Sequence, residues 1–173
     1  MEENSMLCSV ATLLFFHSII TSCMATPSIK TDQLALLALK SSISHNPKNI
    51  ILRNWSSSTP MCTWIGISCS SRHQRVTSLN ISDMSLEGRI PSELGNLSFL
   101  SSLDLSNNSF YGTLPQELPN LHRLRLIDLS GNKLTGPLPS FFSSFHNLRS
   151  LRLSRNSFSG HIPSSIGNVS TLE

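Results

Sequence analysis

Apolar residues recur in one fixed order through the second half of the chain, and the order repeats every 24 residues. The clearest copy lies in residues 124–145 and is carried by nine positions, namely Leu124, Ile127, Leu129, Asn132, Leu134, Gly136, Leu138, Pro139 and Phe142. Equivalent residues stand 24 positions earlier, 24 positions later and once more from Val76 onwards. A repeat of about 20–50 residues is typical of a solenoid, in which similar coils stack on one another.

Each copy contains a short stretch in which inward apolar positions alternate with outward positions, and this pattern predicts a strand. With Leu124 counted as position one, positions four and six are predicted to point inward, and positions three, five and seven outward. We expect the strands of successive coils to stack as a parallel sheet on the concave side. The pattern predicts an α/β solenoid of four coils over residues 76–173, with Leu172 opening a fifth coil.

An asparagine follows the predicted strand in three of the four copies, at Asn108, Asn132 and Asn156. Because an amide both donates and accepts hydrogen bonds, we expect these side chains to turn inward and satisfy backbone groups that the turn exposes. The first copy carries Met84 there, so the first coil either lacks this bond or still belongs to a cap.

The amino terminus contains a largely apolar run over residues 6–20, followed by small residues up to Ala25. This arrangement predicts a secretory signal peptide over residues 1–25. Glu2 and Glu3 stand where basic residues are usual, which leaves an uncleaved anchor or a wrongly assigned start of the chain as the alternatives. The run is shorter than the ~20 residues that cross a bilayer, which favours the signal peptide.

Residues 26–75 follow the signal peptide and do not carry the repeat. Thr31 and Asp32 are good helix N-caps, because their side-chain oxygens can accept hydrogen bonds from the first turn, so a helix is predicted over residues 33–43. The open end of a solenoid exposes apolar side chains, which an atypical terminal unit usually covers. We therefore interpret residues 26–75 as an N-terminal cap.

Two cysteines remain after removal of the signal peptide, Cys62 and Cys69. An even pair on an oxidising route is expected to form a disulfide. The alternative is half of a zinc site, but two thiols and His73 do not supply four ligands, so we predict no metal and no cofactor. Trp55 and Trp64 lie beside this pair, and we expect both to be core residues.

Charged residues make up only 13% of the chain, about half the usual share, and the formal charge is +3. A nucleic-acid-binding protein would carry clustered lysines and arginines, so that class is excluded. Sequons for N-glycosylation begin at Asn54, Asn80, Asn96, Asn107 and Asn168. Together with the signal peptide they predict a glycoprotein of the secretory pathway, extracellular or on the outer face of the plasma membrane.

Residues 31–172 resemble the N-terminal ectodomain of plant leucine-rich-repeat receptor-like kinases and receptor-like proteins. The first motif on which this resemblance rests is the plant cap motif, here residues 32–37, Trp55 and residues 62–69. The other is the repeat Leu-x-Gly-x-Ile-Pro, first seen at residues 86–91. The resemblance implies a right-handed superhelix with an additional short strand at the Gly-x-Ile-Pro segment.

The resemblance also implies a role at the cell surface in perceiving peptides or microbial patterns. The partners it implies are a peptide, protein or glycan ligand and a co-receptor ectodomain. The family's transmembrane helix and kinase have no counterpart in this sequence, so we predict no enzymatic activity and membrane attachment only through a segment after Glu173.

The sequence stops without a terminal cap, which we interpret as a truncated receptor because a solenoid cut there leaves an open apolar end. The alternative is a complete small secreted leucine-rich-repeat protein that binds a cell-wall component or inhibits a wall-degrading enzyme.

Outward positions of the predicted concave sheet are the candidate binding site. They comprise Asp104, Arg125, Leu126, Asp128, Arg149, Arg152 and Arg155, and they run from acidic to basic. The arginines could bind a ligand carboxylate through paired hydrogen bonds. Alternatively, Asp128 and Arg152 only pair with each other across neighbouring strands. A glycan on Asn80 would block the first coil. Asp104 and Asp128 are not interpreted as catalytic, since an open sheet offers no closed pocket to shift their pKa values.

Overall fold

The computed structural model describes residues 28–47 and 49–168, and the side chains as far as Gly167. The predicted signal peptide and the fifth coil at Leu172 lie outside the described residues. The α-helices and strands are, in chain order, α1 (Ile29–Ser42), β1 (Ile43–His45), α2 (Ile50–Asn54), β2 (Ile67–Cys69), β3 (Val76–Asn80), β4 (Glu87–Gly88), β5 (Ser102–Asp104), β6 (Ser109–Gly112), β7 (Leu126–Asp128), β8 (Lys133–Pro137), β9 (Ser150–Arg152) and β10 (Ser157–Ser159). Short 3₁₀ helices occupy Met61–Thr63, Ser92–Asn96, Leu118–Asn120, Ser140–Ser144 and Ser164–Asn168.

The concave sheet has the strand order β2-β3-β5-β7-β9. Strand β2 is antiparallel to β3, and the remaining neighbours are parallel. Their register follows the 24-residue repeat, so that Leu103 lies between Leu79 and Ile127. These three side chains are buried, whereas the residues before and after them are half-buried or exposed, as period two requires, except for Asp128, which is buried. The predicted parallel concave sheet is confirmed.

A second sheet has the order β1-β4-β6-β8-β10. Each of β4, β6, β8 and β10 ends at or next to the glycine of the Leu-x-Gly-x-Ile-Pro motif, which confirms the additional strand that the resemblance implied. Strand β1 joins this sheet antiparallel to β4, with Ile43 opposite Gly88. Strand β1 was not predicted from the sequence, because the predicted helix extended through Ile43.

The asparagines that follow the strands form a ladder between coils. The Asn108 amide nitrogen donates to the carbonyls of Ile81, at 2.8 Å, and Leu105, at 3.0 Å, and its oxygen accepts from the Leu86 backbone N–H at 2.9 Å. Asn132 and Asn156 repeat this arrangement. The predicted role of the amide column is confirmed, since each asparagine links the backbones of two neighbouring coils.

The first helix begins earlier than the sequence analysis predicted. Ser28 is its N-cap and forms a reciprocal capping box with Thr31, so the helix starts at Ile29 rather than at Gln33. Asp32, predicted as a cap, is completely buried inside the first turn. The prediction was wrong because the Asp32 carboxylate is used for a contact with the first coil instead.

The rest of the cap is built on two tryptophans and a disulfide. Trp55 and Trp64 are buried and stacked, with ring centroids 5.5 Å apart. Both indole N–H groups are satisfied, since Trp55 donates to the Ile65 carbonyl and Trp64 to the Thr59 hydroxyl. The disulfide between Cys62 and Cys69 is present as predicted. Both tryptophans are therefore core residues, and their predicted role is confirmed.

Candidate functional site

The position-five side chains form one row at the carboxyl ends of the concave strands. Asn80, Asp104, Asp128 and Arg152 are direct register partners from strand to strand. Neighbouring strands lie about 4.8 Å apart, so adjacent members of the row can interact. The structure therefore brings together Asp104, Asp128 and Arg152, three of the candidate residues.

The aspartates of this row bond locally to the chain that follows them. One oxygen of Asp104 accepts from the backbone N–H of Ser106 at 3.0 Å and from its hydroxyl at 2.7 Å. Asp128 accepts from Ser130 in the same way, at 3.0 and 2.6 Å. These bonds hold the turn after each strand. This role was not predicted from the sequence, although an Asp or Asn two residues before a serine recurs in three coils.

Asp128 also meets Arg152 on the next strand, with 3.4 Å between the nearest nitrogen and oxygen. The arginine side chain is 64% exposed and the aspartate 10%, so the pair is a surface ion pair worth about 0–1 kcal/mol. Burial is the largest single influence, and it raises the pKa of Asp128. Hydrogen bonds from the Ser130 hydroxyl and backbone N–H, together with the hydrogen bond and positive charge of Arg152, lower the pKa and outweigh burial in sum. The net effect lowers the pKa of this carboxyl below 3.8.

The remaining candidates occupy other rows. Leu126 is half-buried and is flanked in register by Ser102 and Ser150, so it is an apolar position within a serine row. Arg149 is exposed immediately before β9. Arg155 lies beyond the end of β9 and donates to the Asn107 side chain at 3.4 Å. The predicted basic residues therefore lie at both ends of the strands rather than in one cluster.

A groove of about 530 Å³ crosses the end of the sheet where β3, β5 and β7 begin. It is lined by Ser70, His73, Thr77, Phe99, Ser101, Arg123, Arg125 and Asn147. Only Arg125 among these was a candidate from the sequence. The others were missed because most of them precede position three of a coil, where the sequence pattern predicts no strand and hence no concave face.

Phe99 lines this groove and is contacted by three side chains. The guanidinium carbons of Arg123 and Arg75 lie over its ring, at 4.1 and 4.6 Å from the ring centroid. The His73 ring packs at a tilt, 5.7 Å away. Cation–π contacts at these distances are attractive and hold the guanidinium groups against the ring. The groove therefore has an ordered cationic wall.

The architecture defines a class: a capped solenoid whose coils each supply one concave strand. The family model of the leucine rich repeat N-terminal domain matches residues 29–70, and that of the leucine rich repeat matches residues 75–97, 99–121, 123–145 and 147–169. The chain belongs to the leucine-rich-repeat family. Its matched segments correspond to the ectodomain of plant receptor kinases, a part of those proteins that is not catalytic.

Three known proteins illustrate the similarity. The LRR receptor-like serine/threonine-protein kinase EFR of Arabidopsis thaliana is 48% identical over 73 residues, which cover 42% of this chain and 7% of that kinase. Polygalacturonase inhibitor 1 of the same plant is 36% identical over 103 residues, 58% of this chain and 29% of the inhibitor. The ectodomain of the Arabidopsis receptor kinase HAESA, solved with an IDA peptide hormone ligand, has a TM-score of 0.59 and 35% identity, covering 85% of this chain and 28% of that one.

This chain thus spans less than a third of each of these proteins. Across residues 28–47 and 49–168, no helix is long and apolar enough to cross a membrane. The same residues contain no group of three or more histidine, cysteine, aspartate or glutamate side chains that could hold a metal ion.

Proposed function

We propose that this chain is the extracellular ligand-recognition module of a plant cell-surface receptor. The observation that carries the proposal is that a leucine-rich-repeat N-terminal domain and four leucine-rich repeats follow one another in this chain, together with its similarity to the receptor kinase EFR and to the HAESA ectodomain. The peptide hormone bound to the HAESA ectodomain supports a peptide as the ligand class. A co-receptor ectodomain would be a further partner of the full receptor.

Within this proposal the concave face contacts the ligand. Arg125, Arg149 and Arg155 are exposed and have no carboxylate within 4 Å among the described residues, so their charges are available to a ligand. Asp104 and Asp128 hold the turns after their strands and shape this face. Leu126 offers the ligand an apolar contact between two serines. Arg152 can leave its ion pair with Asp128 and bind a carboxylate of the ligand instead.

The proposal also places the chain on the secretory route, with residues 1–25 as the signal peptide. Asn80, Asn96 and Asn107 are exposed sequons, and Asn54 is half-buried. The side chain of Asn168 lies outside the described part. A glycan on Asn96 would lie on a 3₁₀ helix, away from the concave strands, and would leave the binding face open.

Secretion can be tested with the full chain, expressed in plant cells with a C-terminal tag. We expect the tagged protein in the extracellular fluid, with a mass that falls on treatment with N-glycosidase. Recovery only from the cytosol without glycans would contradict the proposal. Replacing Asn96 with Gln should remove one glycan without preventing secretion.

Recognition is tested by incubating the purified protein with a peptide fraction of extracellular fluid and identifying what it retains by mass spectrometry. The triple variant Arg149→Ala, Arg152→Ala, Arg155→Ala is the comparison. We expect discrete peptides on the native chain that the variant retains less well. Retention of no peptide by the native chain would contradict peptide recognition.

A second candidate function is inhibition of a wall-degrading enzyme, which the similarity to polygalacturonase inhibitor 1 favours. The test is the rate of polygalacturonase with and without an excess of the purified chain. A fall in that rate would favour the inhibitor, whereas an unchanged rate would favour the receptor module.

A further inference from the structure

We propose that the groove at the starts of β3, β5 and β7 docks an acidic segment of the ligand. Its carboxylates would bind Arg123 and Arg125. This inference rests on the proposed function, because it specifies one part of the peptide ligand and where that part lies. The groove is a different site from the outward rows of the concave face, because cap residues form part of its lining.

The two arginines carry uncompensated charge. The ion pairs in the described part of the chain are Asp32 with Arg75 and Asp128 with Arg152. No described carboxylate lies within 4 Å of Arg123 or Arg125, and both residues are exposed. Two positive charges that line one groove without a counter-ion attract a ligand with at least two negative charges.

Arg123 is also held in an orientation that suits a carboxylate. Its guanidinium group lies over the Phe99 ring at 4.1 Å. The guanidinium N–H donors of a side chain held there can form paired hydrogen bonds with one carboxylate. Arg75 lies over the same ring and is fixed by the buried Asp32, so the cap itself positions this wall of the groove.

The remaining polar groups of the groove can receive a peptide backbone. The Asn147 amide nitrogen donates to the His122 carbonyl at 3.0 Å, and its oxygen has no partner among the described residues. The Ser101 hydroxyl donates to the Thr77 carbonyl at 3.0 Å and retains its lone pairs. Both oxygens can accept hydrogen bonds from backbone N–H groups. The groove thus offers acceptors for the backbone N–H groups and two arginines for the carboxylates of an acidic peptide.

An acidic glycan fits the groove less well. Phe99 is its aromatic ring, and that ring is covered by two guanidinium groups and packed against His73. Three side chains thus already contact the ring on which a sugar would have to stack. The volume of about 530 Å³ falls within the range of about 300–1,000 Å³ for ligand pockets, enough for a short peptide segment.

The test measures binding of a fluorescent peptide of six glutamates to the full secreted chain by fluorescence anisotropy. We expect the double variant Arg123→Ala, Arg125→Ala to bind at least about 10-fold more weakly. The control pair is Arg53→Ala, Lys133→Ala, which removes the same charge from exposed positions outside the groove and should change affinity less than about twofold. The variant Arg123→Lys keeps the charge but loses the stacked fork, and we expect an intermediate affinity.

Equal losses in the groove variant and the control pair would overturn the proposal, because they would indicate non-specific attraction. Tighter binding of a galacturonate oligosaccharide than of the glutamate peptide would also overturn it. A groove variant that fails to be secreted is replaced by Arg123→Gln, Arg125→Gln, which removes the same two charges and to which the same criteria apply. If the native chain retains extracellular peptides while the groove variants retain them equally well, the proposed function stands and the groove inference fails.

Discussion

Arg75 binds the carboxylate of Asp32 through two parallel hydrogen bonds, of 2.8 and 2.7 Å, and both side chains are almost completely buried. The same carboxylate accepts the backbone N–H of Val76 at 2.9 Å. This contact joins the first turn of the cap helix to the first residue of the first concave strand. The cap is therefore fastened to the solenoid by a polar clamp as well as by apolar packing.

Replacing Asp32 with Asn should lower the free energy of unfolding by about 3–5 kcal/mol, because the Arg75 guanidinium would remain buried without its counter-charge. Urea denaturation followed by tryptophan fluorescence measures this directly, since Trp55 and Trp64 lie in the same cap. Asp83→Asn is the matched control, because Asp83 is exposed and should change stability by less than about 0.5 kcal/mol. A loss below about 1 kcal/mol in Asp32→Asn would show that the clamp is not needed.

The asparagine ladder gives a second prediction. Asn132 is buried and links the Leu105 and Leu129 carbonyls, at 3.0 and 3.1 Å, to the Phe110 backbone N–H at 2.9 Å. Asn132→Ala leaves these groups without partners, and each costs about 1–3 kcal/mol when it stays buried and unsatisfied. We expect a clear fall in the midpoint of thermal unfolding.

Asn120→Ala is the control for this substitution, because Asn120 is exposed in a 3₁₀ helix. Its midpoint should stay close to that of the native chain. Equal midpoints for the two variants would mean that water can replace the Asn132 amide.

The sequence predicts the solenoid well because the residues that define each coil lie close together in the chain and recur from coil to coil. Leu79, Leu103 and Ile127 occupy the same position of successive coils and all point inward, so one pattern predicts the three of them. The asparagine column follows in the same way, since its chemistry and position recur. The disulfide was predictable because, after the signal peptide, only one pair of cysteines remains.

The cap and the groove were less predictable because they depend on contacts between distant residues. The local sequence predicts Asp32 as a helix cap, and only the fold brings Arg75, 43 residues later, beside its carboxylate. Phe99 and Arg123 precede their strands, and the repeat pattern gives no reason to place them with His73. Strand β1 likewise depends on its pairing with β4 and has no strong local signal.

Gly88 provides a third prediction, because the cap approaches it closely. A Cβ atom added there would lie 2.4 Å from the Ser42 carbonyl oxygen and 2.9 Å from the Ile43 Cα. Gly88→Ala should push β1 away from β4 and cost about 1–3 kcal/mol, as overpacking does. Hydrogen exchange at the amides around Ser42 should accelerate. Gly167→Ala is the control, since no described atom lies within 4 Å of its added Cβ. Unchanged exchange in Gly88→Ala would contradict the tight contact.

The last prediction concerns Asp128 and pH. Hydrogen bonds from Ser130 and the pairing with Arg152 hold the pKa of Asp128 below its ordinary value of 3.8, against the opposing effect of burial. The folded chain therefore binds this proton less readily than the unfolded chain does. The stabilising contribution is fully present above the unfolded pKa and is lost as pH falls through the folded pKa. We expect the difference in unfolding free energy between the native chain and Asp128→Asn to be constant from about pH 6 to 8 and to shrink below about pH 4.

The partners of Asp128 should contribute unequally to this effect. The Ser130 hydroxyl bond, at 2.6 Å, is shorter than the 3.4 Å contact with the exposed Arg152, and it is the largest single influence that lowers the pKa of Asp128. Ser130→Ala should therefore raise the pKa of Asp128, followed by carboxyl NMR titration, more than Arg152→Ala does. Added salt should reproduce part of the Arg152→Ala effect, because it screens exposed charges, and should leave the Ser130 bond intact. If Arg152→Ala proved the larger perturbation, the ion pair rather than the turn would be what holds this carboxylate ionised.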